Sequence, residues 1–134
     1  MCGIAGYYDK SSDSTGLIGC TVLDMLRALG CRGPDSAGVA LYHAPADGDF
    51  VLQIKLGEAG HSQNPTENVI AKVSALSKPK DVSTTGGYLR LMIDGALDPG
   101  RVAAAVESTG SEVEVVSMGR RLEIVKQVGS PDRL

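Results

Sequence analysis

Apolar positions recur along this chain with two periods, and the switches between them mark out its elements. Residues 3–8, Gly-Ile-Ala-Gly-Tyr-Tyr, are short, apolar and glycine-punctuated, which predicts a buried first strand. The polar, serine-rich stretch 9–16 reads as a loop. Ile18, Val22, Met25, Leu26 and Leu29 then fall at helical spacing and predict an amphipathic helix over about 17–29. Gly30 suits the left-handed position that closes such a helix. Two strands follow at 38–43 and 50–56, joined by Pro45-Ala46-Asp47-Gly48-Asp49 as a hairpin-like turn.

Residues 57–65 are rich in Gly, Ser and Asn and lack any apolar period, so a linker is expected there, separating 1–56 from a second unit at 66–128. In that unit Val69, Ile70, Val73, Ala75 and Leu76 share one face of a helix over about 66–77. A strand at 84–94 carries Tyr88, Leu89, Leu91 and Ile93. Asp98-Pro99 opens a further helix, with Asp as N-cap, Pro at the first helical position, and Val102, Ala103 and Val106 on its face. Strands at 112–118 and 122–128 complete the order α-β-α-β-β, which predicts a small α+β sandwich with helices on one face of a mostly antiparallel sheet. Ser130-Pro131-Asp132 has the pattern of a helix start, so residues 129–134 are expected to begin a helix that the chain does not continue.

Composition narrows the possible chemistry. The 134 residues allow one modest domain with a real core, and aromatics at 4% leave most of the packing to Ala, Val and Leu. Net charge is −3 and no basic cluster exceeds Arg120-Arg121, which argues against a nucleic-acid surface. No apolar run is long enough to span a membrane. Cys2, Cys20 and Cys31 form no Cys-x-x-Cys pair, and neither His43 nor His61 is spaced for a metal site. Free thiols and a cytoplasmic setting are the expectation, with both histidines at the surface and Cys20 and Cys31 as packing residues.

Cys2 follows the initiator in Met1-Cys2-Gly3-Ile4-Ala5-Gly6. Aminopeptidases remove methionine before a small second residue, which would leave a thiol and a free α-amine on one carbon. That amine titrates not far above neutrality, so nucleophile and base lie one short side chain apart. A bland alternative is a small buried cysteine at the start of a strand. Thirty residues on stands Arg32-Gly33-Pro34-Asp35-Ser36-Ala37-Gly38. Its Gly-Pro-Asp is strong turn chemistry, and Gly38 permits close approach as the next strand begins. Arg32 is open to several roles: pairing with Asp35, reaching toward Cys2, or organising the turn.

Together, MCGIAG and RGPDSAG resemble the opening of the class II glutamine amidotransferase domain, an N-terminal-nucleophile hydrolase. The resemblance covers roughly residues 1–56. It implies the first part of a layered αββα fold, with the second unit as a small α+β insertion. It also implies Cys2 as nucleophile, with Arg32, Gly33 and Asp35 as supporting residues. Glutamine would be the substrate and a synthase subunit the ammonia acceptor. The nearest likeness is to the amidotransferase subunit of multi-subunit glutamate synthase or N-methylglutamate synthase enzymes, in which other chains carry flavin and iron–sulfur clusters. No cofactor is expected on this chain, which lacks a cysteine cluster for Fe–S ligation.

The chain also departs from the family. It has no HTR-x-AT-like segment for the glutamine carboxylate, no Asn-Gly pair for the oxyanion hole, and no equivalent acidic motif for the substrate amine. Removing one oxyanion donor costs about 100–1,000-fold in rate. The expectation is therefore a glutaminase subunit or fragment, inactive by itself. The alternative is a catalytically incomplete scaffold or regulatory subunit. A ferredoxin-like sensor in the second unit, with Gly86-Gly87 binding an anion, is a further alternative.

Overall fold

A computed structural model describes residues 2–10, 17–32, 35–44, 48–57 and 65–134. It is a mixed α and β structure whose sheet pairings are antiparallel, consistent with an α+β class. Contacts divide the chain into one unit of residues 40–124 and another of residues 1–39 with 125–134. The turn residues 45–47 and most of the expected linker, 58–64, lie outside the described residues.

The unit of residues 40–124 contains a four-stranded sheet in the order β3-β4-β2-β5. Its strands are β2 (Asp49–Lys55), β3 (Lys80–Thr85), β4 (Tyr88–Asp94) and β5 (Glu114–Gly119), and its helices are α2 (Pro65–Ser74) and α3 (Pro99–Glu107). β4 alternates, with Leu89, Leu91 and Ile93 fully buried and the residues between them half-exposed. The register sets Leu52 opposite Leu91 and Ile54 opposite Leu89, so side chains of the two central strands share one face. Val69 and Val73 of α2 join that cluster with Val102 and Val106 of α3. Each such residue contributes roughly 1.5–3 kcal/mol by leaving water. Asp98 caps α3 as its sequence predicts, its side chain accepting from Arg101 N at 2.8 Å. Ala75, by contrast, is exposed and lies beyond the end of α2, outside the face expected to include it.

Three strand expectations need correction. The segment expected as one strand from 84 is the end of a hairpin: Gly86-Gly87 forms a two-residue turn, with Thr85 paired to Tyr88 and Gly86 at φ +57°. β3 escapes a period-based reading because every one of its residues is exposed. Nor do the strands around residues 45–49 form a hairpin. β1 (Ser36–Tyr42) pairs with β6 (Leu122–Val128), while β2 lies between β4 and β5. Apolar content located both strands, but partner choice followed burial: β2 is buried on both faces and needs the sheet centre, whereas β1 has no buried residue. Third, residues 2–10 form no regular strand, and Ile4 is 96% exposed and Tyr8 82%. An apolar run becomes a strand only when a neighbour completes its backbone hydrogen bonds, and no described strand pairs with this one.

On the sheet face bearing Gln53 and Arg90 lies a polar cluster that no sequence motif announces. Glu123 of β6 is buried and accepts from Gln53 Nε2 at 2.7 Å, Arg90 Nε at 2.9 Å and Arg90 Nη2 at 3.0 Å. Burial pushes the Glu123 carboxyl up, but the bonds from Arg90 and Gln53, with Arg90's charge, outweigh it and hold the group below its ordinary range. His43, expected at the surface, is only half-exposed. Its Nε2 is buried 3.3 Å from Glu123 Oε1 without forming a hydrogen bond, and Nδ1 lies 2.6 Å from Ala44 O. His61 lies outside the described residues.

Candidate active site

The candidate chemistry sits in the unit of residues 1–39 and 125–134. Helix α1 spans Ile18–Ala28; of its predicted face Val22, Met25, Leu26 and, at the C-cap, Leu29 are half-buried, whereas Ile18 is exposed. It closes differently from expectation. Gly30 is not left-handed; the chain instead tightens into a 3-10 turn over Gly30–Arg32, with Arg32 N donating to Leu29 O at 2.8 Å. That tighter turn satisfies the last carbonyls locally, so a left-handed cap is not needed.

Cys2 is placed by the end of this helix. A Cβ built on Gly3 would stand 3.3 Å from Leu29 Cβ and from both its methyl groups, so the glycine lets the backbone after Cys2 lie against the last turn. β1 approaches β6 with similar economy: a Cβ on Gly38 would meet Val125 O at 3.1 Å. At the same end of β1, Gly129 N donates to Asp35 O at 2.9 Å.

These pieces enclose a cleft of about 200 Å³, lined by Cys2, Arg32, Asp35 and Gly38 together with Leu29 and Pro131. Three of the four residues singled out in the sequence therefore share one cavity, although thirty or more positions separate Cys2 from the others. Gly33, the fourth, lies outside the described residues. Cys2 is exposed and unbridged, unlike a packing cysteine. Cys20 and Cys31 are also free and exposed rather than packed. The cavity is smaller than the roughly 300–1,000 Å³ typical of drug-sized ligands and suits a small metabolite.

Pro131 and Asp132 add what the sequence reading missed. Ser130 caps as expected, accepting from Asp132 N at 3.2 Å, but over a single 3-10 turn, Pro131–Arg133. Asp132 accepts from Arg27 Nε at 2.7 Å, and the same guanidinium donates to Asp24 at 2.9 Å. The hydrogen bond from Arg27, then that from Ser130, hold the Asp132 carboxyl below its ordinary range. A separation of 105 positions between Arg27 and Asp132 leaves no local signal of that contact.

A more open cleft of about 680 Å³ lies in the unit of residues 40–124, lined by Lys55, Glu107, Glu112 and Glu114 around Gly57. It is acidic and holds no thiol, so the smaller cavity is the better chemical candidate. Among the described residues, no group of three or more His, Cys, Asp or Glu is arranged to hold a metal ion. No described helix is long and apolar enough to cross a membrane.

Comparison with known proteins points to glutamine amidotransferases. A Rhizobium meliloti protein named glutamine amidotransferase-like protein GlxB is 29% identical over 131 residues, covering 98% of this chain and 42% of its own. A protein of Methanothermobacter thermautotrophicus, provisionally named a glutamine amidotransferase, is 27% identical over 138 residues, covering 97% of this chain and 44% of its own. A glutamine–fructose-6-phosphate aminotransferase (isomerizing) of Corynebacterium efficiens is 44% identical over 59 residues, which is 43% of this chain and 9% of that one. The chain thus spans about two fifths of the first two relatives' length. No family model and no solved structure matches.

Proposed function

We propose that this chain carries the nucleophile of a class II glutamine amidotransferase and releases ammonia from glutamine for a synthase partner of the glutamate synthase or N-methylglutamate synthase type. The observation that carries the reading is the shared cavity: an exposed thiol at residue 2 in one small cleft with Arg32 and Asp35. Similarity to amidotransferases over nearly the whole chain supports it. With Met1 removed, the α-amine of Cys2 takes the thiol proton as Sγ attacks the γ-carboxamide carbon of glutamine. The C–N bond breaks, the leaving nitrogen receives that proton and departs as ammonia, and a γ-glutamyl thioester remains. Water then cleaves the thioester to glutamate and restores the thiol. Donors for the oxyanion and for the glutamine carboxylate come from further polypeptide of the same assembly.

A glutaminase assay on that assembly tests the reading. Activity should vanish with Cys2→Ala; equal activity in both forms would end it. The alternative is a catalytically incomplete scaffold or regulatory subunit, a reading suggested by the "-like" in one relative's name. Intact-mass analysis separates the two. Loss of Met1 and stoichiometric labelling of Cys2 by a glutamine-analogue electrophile belong to the enzyme, and a retained Met1 with no labelling belongs to the scaffold.

A further inference from the structure

We propose that Arg27 and Asp132 form a positioning pair that shapes the cleft of Cys2; the inference rests on reading Cys2 as the glutamine nucleophile. Pro131 lines the same cavity as Cys2, and its neighbour Asp132 is the residue that Arg27 grips at 2.7 Å. Arg27 is itself steadied by Asp24 at 2.9 Å, one turn back on α1. Two residues beyond Arg27 on the same helix end is Leu29, the side chain that Gly3 abuts. One turn of α1 therefore holds Cys2 through Leu29 and the Pro131 wall through Arg27.

Further bonds shape the turn that carries Pro131. Ser130 Oγ donates to Asp132 Oδ2 at 3.0 Å, and Leu134 N donates to Pro131 O at 3.1 Å, but both bonds are internal to the turn. They fix its shape, while its location is held by the bond from Gly129 N to Asp35 O at 2.9 Å on one side and by the ion pair on the other. An exposed ion pair such as this one contributes little to stability in general, so its consequence is geometric. It keeps one wall of a cavity of about 200 Å³ in register with the thiol.

The experiment compares the assembly that carries the wild-type chain with assemblies in which the chain bears Asp132→Asn, Arg27→Gln or Arg27→Lys. Two reagents are used, iodoacetamide and the glutamine-shaped diazoketone 6-diazo-5-oxo-L-norleucine, and modification is resolved cysteine by cysteine through peptide masses. Exposed Cys20 and Cys31 act as references in the same molecule. Asp132→Asn and Arg27→Gln should lower the efficiency of diazoketone inactivation at Cys2 on the order of ten- to a hundred-fold, as ångström-scale misplacement does. The loss should lie in the half-saturating concentration rather than the plateau rate. Iodoacetamide should modify Cys2 faster relative to Cys20, because the wall has opened. Arg27→Lys, which keeps a charge for Asp132, should stay close to wild type.

Unchanged Cys2 kinetics with both reagents in both variants would overturn the proposal. So would a parallel change at all three cysteines, which signals general loosening. If the wild-type thiol reacts with iodoacetamide but shows no saturation with the diazoketone, the glutamine reading fails separately, and the iodoacetamide ratio alone decides the ion pair.

Discussion

Replacing Glu123 by alanine removes a charge that the fold buries. Glu123 is 8% exposed, and its carboxylate receives three hydrogen bonds, two from Arg90 and one from Gln53. Removing it strands two donors of unequal freedom. The Arg90 side chain is 33% exposed and can turn to water, whereas Gln53 is 7% exposed and cannot. The cost is therefore that of one buried unsatisfied amide plus lost charged bonds, about 1–3 kcal/mol, rather than the 3–5 kcal/mol of a fully buried broken pair. Urea unfolding followed by far-UV circular dichroism at pH 7 reads it directly. The folded-state carboxyl sits below its ordinary value of 4.5. Its stabilisation is therefore complete above that value and is lost as pH falls through the lower, folded-state one. The gap between wild type and Glu123→Ala should thus narrow progressively in acid. Two results would refute the reasoning: variants equal within 0.5 kcal/mol at pH 7 (about the spread of an ordinary surface substitution), or a gap that stays constant down to the lowest pH at which both fold.

Other perturbations follow from the same unit. Leu91→Ala, in a cluster where Leu52, Leu89 and Ile93 are equally closed to solvent, should cost about 2–5 kcal/mol in the same unfolding assay. Two left-handed glycines should part company in thermal melts. Gly57→Ala would place a Cβ 2.7 Å from Glu112 Oε2 at φ +87° and should lower the midpoint clearly, while Gly86→Ala, at φ +57° with open space around it, should lower it less, through backbone strain alone.

Much of the local structure was legible because it is written in local rules. The helix over 18–28, the Asp98 cap and the alternation of β4 all follow from spacing and side-chain chemistry within a few residues. What the sequence concealed is partner choice. β1 and β2 are close in the chain and end in different sheets, and β3 carries no apolar period because no side chain of it is buried. Gly86-Gly87 was the available hairpin signal, since a glycine at the first turn position supplies the positive φ that a two-residue turn requires, as Gly86 does. At the candidate site the motif residues were visible, yet Arg27 and Asp132 were not. An ion pair across 105 positions is a product of the fold and has no spacing to betray it.

Burial is distributed against the chemistry. Among the described residues, every fully buried apolar side chain belongs to residues 40–124, and none of the other unit is buried. Ordering backbone costs roughly 1–2 kcal/mol per residue. Residues 2–10 meet that cost with Ile4 and Tyr8 facing water and with no ladder of hydrogen bonds. A nucleophile needs its position held within a fraction of an ångström, which hydrophobic packing ordinarily supplies. Here Gly3 rests on Leu29, Gly129 N donates to Asp35 O at 2.9 Å, and Arg27 grips Asp132. The amidotransferase reading therefore makes a structural demand along with a chemical one. Whatever polypeptide brings the oxyanion donors must also cover Ile4, Tyr7 and Tyr8, so acquisition of glutaminase activity and burial of those three side chains should occur together.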